Sequence, residues 1–452
     1  MARQRSNQPS LFSKCTTMSI TVKAEHELIR MEREIDWERL VDKAILIREK
    51  KIKAPTGPTP HYRELLGAVA LMAVKNLTFR DAEDLIAYYA PARCLCGLTD
   101  TQWHIDHITI FEFTQMLGEE GIKEINAEVL RIASDLGLLN PTELMSDTTA
   151  QEAKIPYPNE VGLMAKYASA VGRALRGTGE IFRDAKAKWK KIEGKIKGLV
   201  RGSHLFAKTK EQKIKIGKKL LHTIRELQKS VKRPLARCGD RVKGKAVREL
   251  KRLTDVMARL SPQIEHFMKT GFVAPKKILH MTMTDIYSIA RGKAGKKTEF
   301  GLKWGISRIG GGFVTGFLVN NGGHYADQRF CMESIREHKA IFGQAPDVFG
   351  YDRGGYSAAT VKKVSKMGVK HVGIAPKGKA AWAVSEKMKE KIVRARAQVE
   401  GSIGTIKKPI YGFNKPDARS KAAMGRYGQR AIFGFNLRKV VRELQKTQVA
   451  PV

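Results

Sequence analysis

Cysteine is scarce in this chain. Only Cys15, Cys94, Cys96, Cys238 and Cys331 are present, an odd number at spacings that form no disulfide framework. That excludes a stapled secreted scaffold and predicts a reducing, cytosolic setting. Long apolar runs are absent as well. The longest, Leu65 to Val74, lies between Glu64 and Lys75 and is too short to cross a bilayer, so it reads as a core helix. The opening M-A-R-Q-R-S-N-Q-P has no apolar stretch of the kind a secretory signal needs. Acidic residues are in deficit: 45 Asp and Glu face 83 Lys and Arg, a formal charge of +38 over 452 residues. A compact body with that charge repels itself unless a polyanion neutralises it. Nucleic acid is the expected partner, bound in a salt-sensitive way; a ribosomal-type or merely soluble basic protein is the blander alternative.

Hydrophobic residues make up 42%, which excludes wholesale disorder, and the length predicts two or three domains. Residues 1–57 read as a polar extension and mobile start with one helix around Trp37 to Glu49, followed by a linker marked by Pro55, Pro58 and Pro60. Residues 58–140 read as a helical DNA-binding or dimerisation domain. Its helices are predicted at Tyr62 to Lys75, from a cap at Thr78 to before Pro91, from Asp106 to Leu117 with a stop at Gly118, and from Ile122 to Leu138. Cys94, Cys96, His104 and His107 invite a zinc reading. Their C-x-C spacing is unlike a zinc knuckle, and buried thiols with surface histidines are preferred. Residues 161–284 form a long basic insertion. Apolar residues such as Ile224, Leu227 and Val231 recur there at helical spacing, so a folded arm is expected, either tracking phosphates or serving dimerisation.

Residues 141–160 and 285–452 carry the chemistry. A strand from Glu143 to Thr149 ends around Asp147. A hairpin, Thr298 to Arg308 and Phe313 to Asn320, turns at Gly310-Gly311-Gly312. A helix at Asp327 to Phe342, a strand at Asp347 to Tyr351 ending in Asp352, a helix at Ser357 to Met367 and a strand at Lys370 to Ala375 follow. The last predicted helix bears Arg396 and Glu400 one turn apart, with Lys407 two turns further on the same face, and stops near Lys408 because of Pro409. Gly401 and Gly404 weaken it by ~1 kcal/mol each, which suggests close approach of a DNA backbone or tight helix-on-sheet packing. With the basic arm collapsed, this is the element order of an RNase H-like mixed α/β sheet with flanking helices. In that topology the strands of Asp147 and Asp352 lie side by side, with the Glu400 helix across them. Three carboxylates so placed need cations. Two Mg²⁺ ions, with Mn²⁺ as a substitute, fit an all-oxygen set, Asp147 bridging and Asp352 and Glu400 each holding one ion. Arg396 and Lys407 would grip phosphate.

The sequence Asp147-Thr148-Thr149, the run Asp352-Arg353-Gly354-Gly355-Tyr356-Ser357 and the R-x₃-E-x₆-K pattern of Arg396, Glu400 and Lys407 resemble the DDE transposases of bacterial insertion sequences. The last pattern is similar to the Tyr-Arg-Glu-Lys signature of one superclass. The resemblance spans most of the chain. It implies a prokaryotic, cytoplasmic, nucleoid-associated enzyme that cuts double-stranded DNA at terminal inverted repeats and joins the ends to target DNA, working as a homodimer away from membranes. A silent repressor-like DNA binder and a Mg²⁺-dependent nuclease without joining are the alternatives. Three departures stand out: Val393 occupies the tyrosine position, a second glycine follows Asp352, and the large insertion lies between the first and second acidic residues, 205 positions apart, while Asp352 and Glu400 are 48 apart.

Overall fold

The computed structural model describes residues 20–52, 60–99, 104–238, 244–290, 298–319, 326–376, 378 and 380–449. Cys15, Pro55, Pro58 and Asn320 lie outside them. The described chain is mixed α/β and mostly helical. Its elements in order are α1 (Glu27–Glu34), α2 (Trp37–Lys51), α3 (Tyr62–Lys75), α4 (Phe79–Tyr88), α5 (Ala90–Leu95), α6 (His107–Asp135), β1 (Asn140–Glu152), α7 (Glu160–Arg176), α8 (Arg183–Leu205), α9 (Lys210–Cys238), α10 (Lys245–Thr270), β2 (Tyr287–Ala290), β3 (Thr298–Gly310), β4 (Val314–Leu318), α11 (Asp327–Phe342), β5 (Val348–Tyr351), α12 (Ala358–Lys366), β6 (His371–Ile374), α13 (Glu386–Ile406) and α14 (Lys421–Val449).

Residues 20–52 are not the mobile start expected of them. Leu28, Met31, Trp37 and Leu40 are buried, and the Trp37 indole donates to the Met31 carbonyl at 3.2 Å. The helix expected around Trp37 to Glu49 forms as α2, while the charged residues of 27–34 hid the amphipathic α1 before it. The capping box of α4 forms: Thr78 accepts from the Asp81 amide and Asp81 returns a bond to the Thr78 amide, both at 3.2 Å. Gly118 breaks the helical backbone as its position suggested, at φ 66 and ψ −168, so the span α6 is two helices meeting there, the second starting at once rather than at Ile122.

The sheet runs β2–β3–β1–β5–β6, with β4 on the β2 side of β3. β1 pairs antiparallel with β3 and parallel with β5, and β5 parallel with β6. One face of the sheet, with Leu144, Ile309, Phe349, Tyr351 and Ile374, is continuous with a single apolar core that extends through the N-terminal helices, α11, α12 and α14. The helices of 58–140 therefore share their core with the sheet.

Helix α14 is the largest element that sequence reading missed. Its alternating Arg, Gly and Gln give no clean apolar stripe because it is surrounded on several sides. It protects the β4 edge. Asn436 accepts from the Val314 amide at 3.0 Å and donates to the Val314 carbonyl at 2.6 Å and to Asn126 at 2.8 Å, while Gln429 donates to the Gly316 carbonyl at 2.9 Å. Bonds of this kind are worth about 1 kcal/mol each net, and they deny a foreign strand its template.

The basic insertion is a folded bundle. Helices α7 to α10 enclose their own core, including Leu163, Tyr167, Phe182, Ile192, Ile224 and Leu253. At its base Lys277 pairs with Glu160 and reaches the Pro158 carbonyl at 3.4 Å. Among the described residues no helix is long and apolar enough to cross a membrane.

Candidate active site

Asp147 does not end its strand, contrary to the sequence reading. β1 continues to Glu152 because the 13-residue β3 pairs with it throughout, Asp147 opposite Ile306 and Glu152 opposite Gly301. On the other side β1 is paired with β5 only from Glu143 to Met145. Met145 stands opposite Gly350, so continuing the parallel register two residues puts Asp147 level with Asp352, the first residue beyond β5. The crevice therefore opens at the carboxyl end of the parallel pair, where open α/β sheets place their sites.

Strand alternation puts both acids on one face. Met145 and Val348 pack with Ile392 and Val399 of α13, so Asp147 and Asp352, an even number of residues further on, point to the α13 side. Gly350 and Gly373 make room for that helix. A Cβ on Gly373 would lie 2.3 Å from Ile392 Cδ1, and one on Gly350 would lie 3.0 Å from Ile392 Cγ2 and 3.5 Å from Arg396 Cγ. Ile392 is thus a knob seated in a two-glycine hole, and it fixes how close Arg396 and Glu400 come to the strands. From Ile392 to Lys407 α13 advances about 22 Å at 1.5 Å per residue, and β1 covers a similar distance, about 23 Å, from Met145 to Glu152. The helix tracks the strand, and Glu400 falls near the level of Asp147 and Thr148.

Electrostatics reports the same convergence. The Asp147 carboxyl is pushed up to about 6, first by burial, then by the negative charges of Asp352 and Glu400, against the Thr148 amide and the Arg396 guanidinium, which favour ionisation. On the opposite face the buried Tyr351 hydroxyl, which has no hydrogen-bond partner among the described residues, is raised by burial and by Cys331, Asp327, Asp352 and Asp147. Each aspartate spends one oxygen locally: Asp147 Oδ1 accepts from the Thr148 amide at 2.7 Å and Asp352 Oδ1 from the Gly354 amide at 2.9 Å. The other oxygens remain for a ligand. Glu400 is exposed.

The second glycine after Asp352 has a physical reason. A Cβ on Gly354 would lie 2.3 Å from Asp327 Oδ2, and one on Gly355 would lie 2.6 Å from the Tyr351 ring and 2.7 Å from Cys331 Sγ. Both are needed for the 3₁₀ turn that holds Asp352. The same contact exposes a residue pair that sequence reading missed. Asp327, in the first turn of α11, lies beside Asp352 and accepts from Lys303 Nζ of β3 at 2.7 Å. An acidic residue opening a helix is common for dipole reasons, so nothing in the sequence set it apart.

Lys407 is brought to a different place from Arg396. It caps α13 and lines a separate cavity of about 510 Å³ with Asn76, Glu152, Asn414 and Tyr427. α13 ends there as Pro409 predicted, with Lys408 extended at φ −61 and ψ 146. Gly401 and Gly404 are not packing glycines: a Cβ on either would meet nothing within 4 Å. Val393, at the expected tyrosine position, is 48% exposed and supplies no hydroxyl.

Among the described residues no three His, Cys, Asp or Glu stand close enough together to hold an ion without movement. Cys94, Cys96, His104 and His107 form no such group among the described residues. The Cys96 thiol is buried and pushed up to about 12, and His107 pairs with Glu83 at 2.6 Å. For Asp147, Asp352 and Glu400 it means that the carboxylates, though Asp147 feels the charge of the other two, are not gathered into a group that could hold an ion as they stand. The donor set suits a hard divalent cation: oxygen only, partly dehydrated, and mutually repulsive until neutralised. Compared with known protein families, curated proteins and solved structures, the chain matches none.

Proposed function

We propose that the chain is a DDE-type DNA transposase, cutting phosphodiester bonds at the ends of a mobile element and joining them to target DNA. The observation that carries this reading is the register: Asp147 and Asp352 level on adjacent parallel strands, facing a helix that brings Glu400 and Arg396 over them. The sheet order supports an RNase H-like domain, with β1, β3 and β4 as the antiparallel meander and β5 and β6 parallel beside β1. The charge of +38 supports duplex DNA as partner.

Asp147, Asp352 and Glu400 would hold Mg²⁺ or Mn²⁺. When bound, a pair of such ions supplies activation of a water or 3′-hydroxyl for in-line attack and stabilises the leaving oxygen. The chain's own residues do the rest. Asp147 keeps its proton below about pH 6, so loading of the site competes with protonation there. Arg396, positively charged beside Asp147, grips phosphate oxygens at the reacting position and offsets the site's negative charge as DNA enters. Lys407, about 10 Å along α13 from Glu400, holds a phosphate further along the strand. Lys303 restrains Asp327 beside the Asp352 turn. The bare backbone at Gly401 and Gly404 leaves the approach to Glu400 open. A homodimer in a prokaryotic cytoplasm belongs to the same proposal.

A binding-only, repressor-like role is the second reading. It is favoured by one observation, that the carboxylates are not gathered into a group that could hold an ion as they stand. The two separate cleanly. With end DNA and Mg²⁺, Glu400→Gln is expected to bind with unchanged affinity in metal-free buffer and to lose cleavage by about 10³-fold. Absence of cleavage by the unmodified protein, with binding intact, would favour the repressor-like role.

A further inference from the structure

The carboxylate crevice uses few of the chain's cations. The segment 160–270 holds 30 Lys and Arg against 10 Asp and Glu, contributing +20 of the +38 in about a quarter of the length. Its core is apolar; a few cations such as Arg225 and Arg252 bond within the bundle, and most of the others are exposed. The charge is also not evenly spread. On α8, Ala185, Ile192 and Ile196 are buried on one side. Arg183, Lys190, Lys197 and Arg201 recur at steps of seven, seven and four on the other, with Lys191 beside them, and all five are exposed. Of the acids nearby, Glu193 pairs with Lys197 at 2.7 Å, Glu180 with Arg183 at 3.6 Å, and Glu226 of α9 with Lys188 at 2.9 Å, while Asp184 is an exposed acid next to Arg183. Such exposed pairs contribute little and yield to a stronger anion. On α9 the outward Lys215, Lys218 and Lys219 extend the same sign.

We infer that the outer face of α8 is a second DNA-binding surface, which takes the phosphate backbone of duplex DNA outside the carboxylate crevice. Arg183 to Arg201 span about 27 Å of helix. A duplex strand presents one phosphate per ~3.4 Å of axis, so about eight pass along that length, enough for five cations to find partners. Surface Lys and Arg in this arrangement read backbone rather than bases, so the contact anchors DNA without choosing its sequence. A second copy of the chain is a poor occupant, since two bundles of +20 repel one another. The inference rests on DNA being the partner, as proposed above, but not on cutting.

The test uses the full chain and a duplex of about 40 base pairs in buffer without divalent ions, and reads the dependence of log Kd on log salt. Replacing Lys190, Lys191, Lys197 and Arg201 by Gln is expected to lower the slope by about 3 to 4, at ~0.9 per lost contact, and to weaken binding at least about tenfold at 0.15 M salt. Replacing Lys362, Lys363, Lys366 and Lys370, which removes the same charge from α12 and the loop before β6, is expected to change the slope by less than about one. An unchanged slope in the α8 variant, an equal change in the α12 variant, or stronger competition by duplex RNA than by duplex DNA would overturn the inference. Failure to cut under Mg²⁺ would instead sink the enzymatic reading and leave this one standing.

Discussion

Asp147→Asn is expected to make the protein more stable at neutral pH while abolishing cleavage. The carboxyl titrates at about 6 in the folded chain against the ordinary 3.8, so the folded state holds the proton more tightly than the unfolded one. Stability from this group is therefore fully present below about pH 3.8 and is lost as pH rises through about 6. Above that, a carboxylate sits ionised in a partly dehydrated crevice beside Asp352 and Glu400. The rise from 3.8 to about 6 sets a ceiling of about 3 kcal/mol, and partial exposure reduces it to about 1–2 kcal/mol. Asn is nearly isosteric and can still accept from the Thr148 amide. Thermal unfolding should thus show Asp147→Asn melting a few degrees higher than the parent at pH 7.5, with the gap closing at pH 4. Cleavage with Mg²⁺ should fall by at least about 10³-fold, about 4 kcal/mol of barrier. A residue kept for packing would give the opposite pairing, lower stability with residual activity. Gain of stability with loss of function marks a strained site.

Gly373→Val should reach the same chemistry through the packing of α13 on the sheet. Its Cβ would lie 2.3 Å from Ile392 Cδ1, and the three atoms nearest to it all belong to Ile392. The knob must lift, and α13 with it, at a cost of about 1–3 kcal/mol. A displacement of about 1 Å at Glu400 and Arg396 is enough to lower cleavage by about 10²-fold. Ile392→Ala alone opens a cavity and also impairs the enzyme. The double variant should recover cleavage at least about tenfold over Gly373→Val, because the new valine fills the space the isoleucine left. Additive loss in that cycle, measured on cleavage rate and urea unfolding together, would place α13's position elsewhere.

How much of this was legible in the sequence follows from which forces are local. The β3–β4 turn at Gly311 and Gly312, the helix at Asp327–Phe342 and the stop before Pro409 were readable because a period, a cap or a proline sets each within a few residues. The side-by-side placement of the Asp147 and Asp352 strands was readable from element order, and β1 and β5 do pair in parallel. The end of β1 was not, since its extra residues are held by β3, about 150 positions away. Helix α14 escaped because its polar residues are consumed by a distant strand edge. Within the site, continuing the β1–β5 register brings Asp147 and Asp352 level, and Asp147 lies in the field of Arg396 and Glu400. Lys407 is on the right helix but serves another cavity, and the spacing rule that selected it knows the face of a helix, not what stands opposite each turn. The glycines divide the same way. Gly401 and Gly404 invited a packing role they lack, while Gly350 and Gly373, inside short strands, carry it unannounced.

The claim beneath all of this is that three carboxylates from separate segments form one divalent-ion site. Iron-directed backbone cleavage tests it most directly. Fe²⁺ is loaded in place of Mg²⁺, ascorbate and peroxide are added, and the cut peptides are mapped by mass spectrometry. The account predicts cuts in three segments of the same sample, near residues 145–149, 350–354 and 396–402, all suppressed by excess Mg²⁺ and by Asp147→Asn. Cuts confined to one of these segments, or indifferent to Mg²⁺, would contradict it.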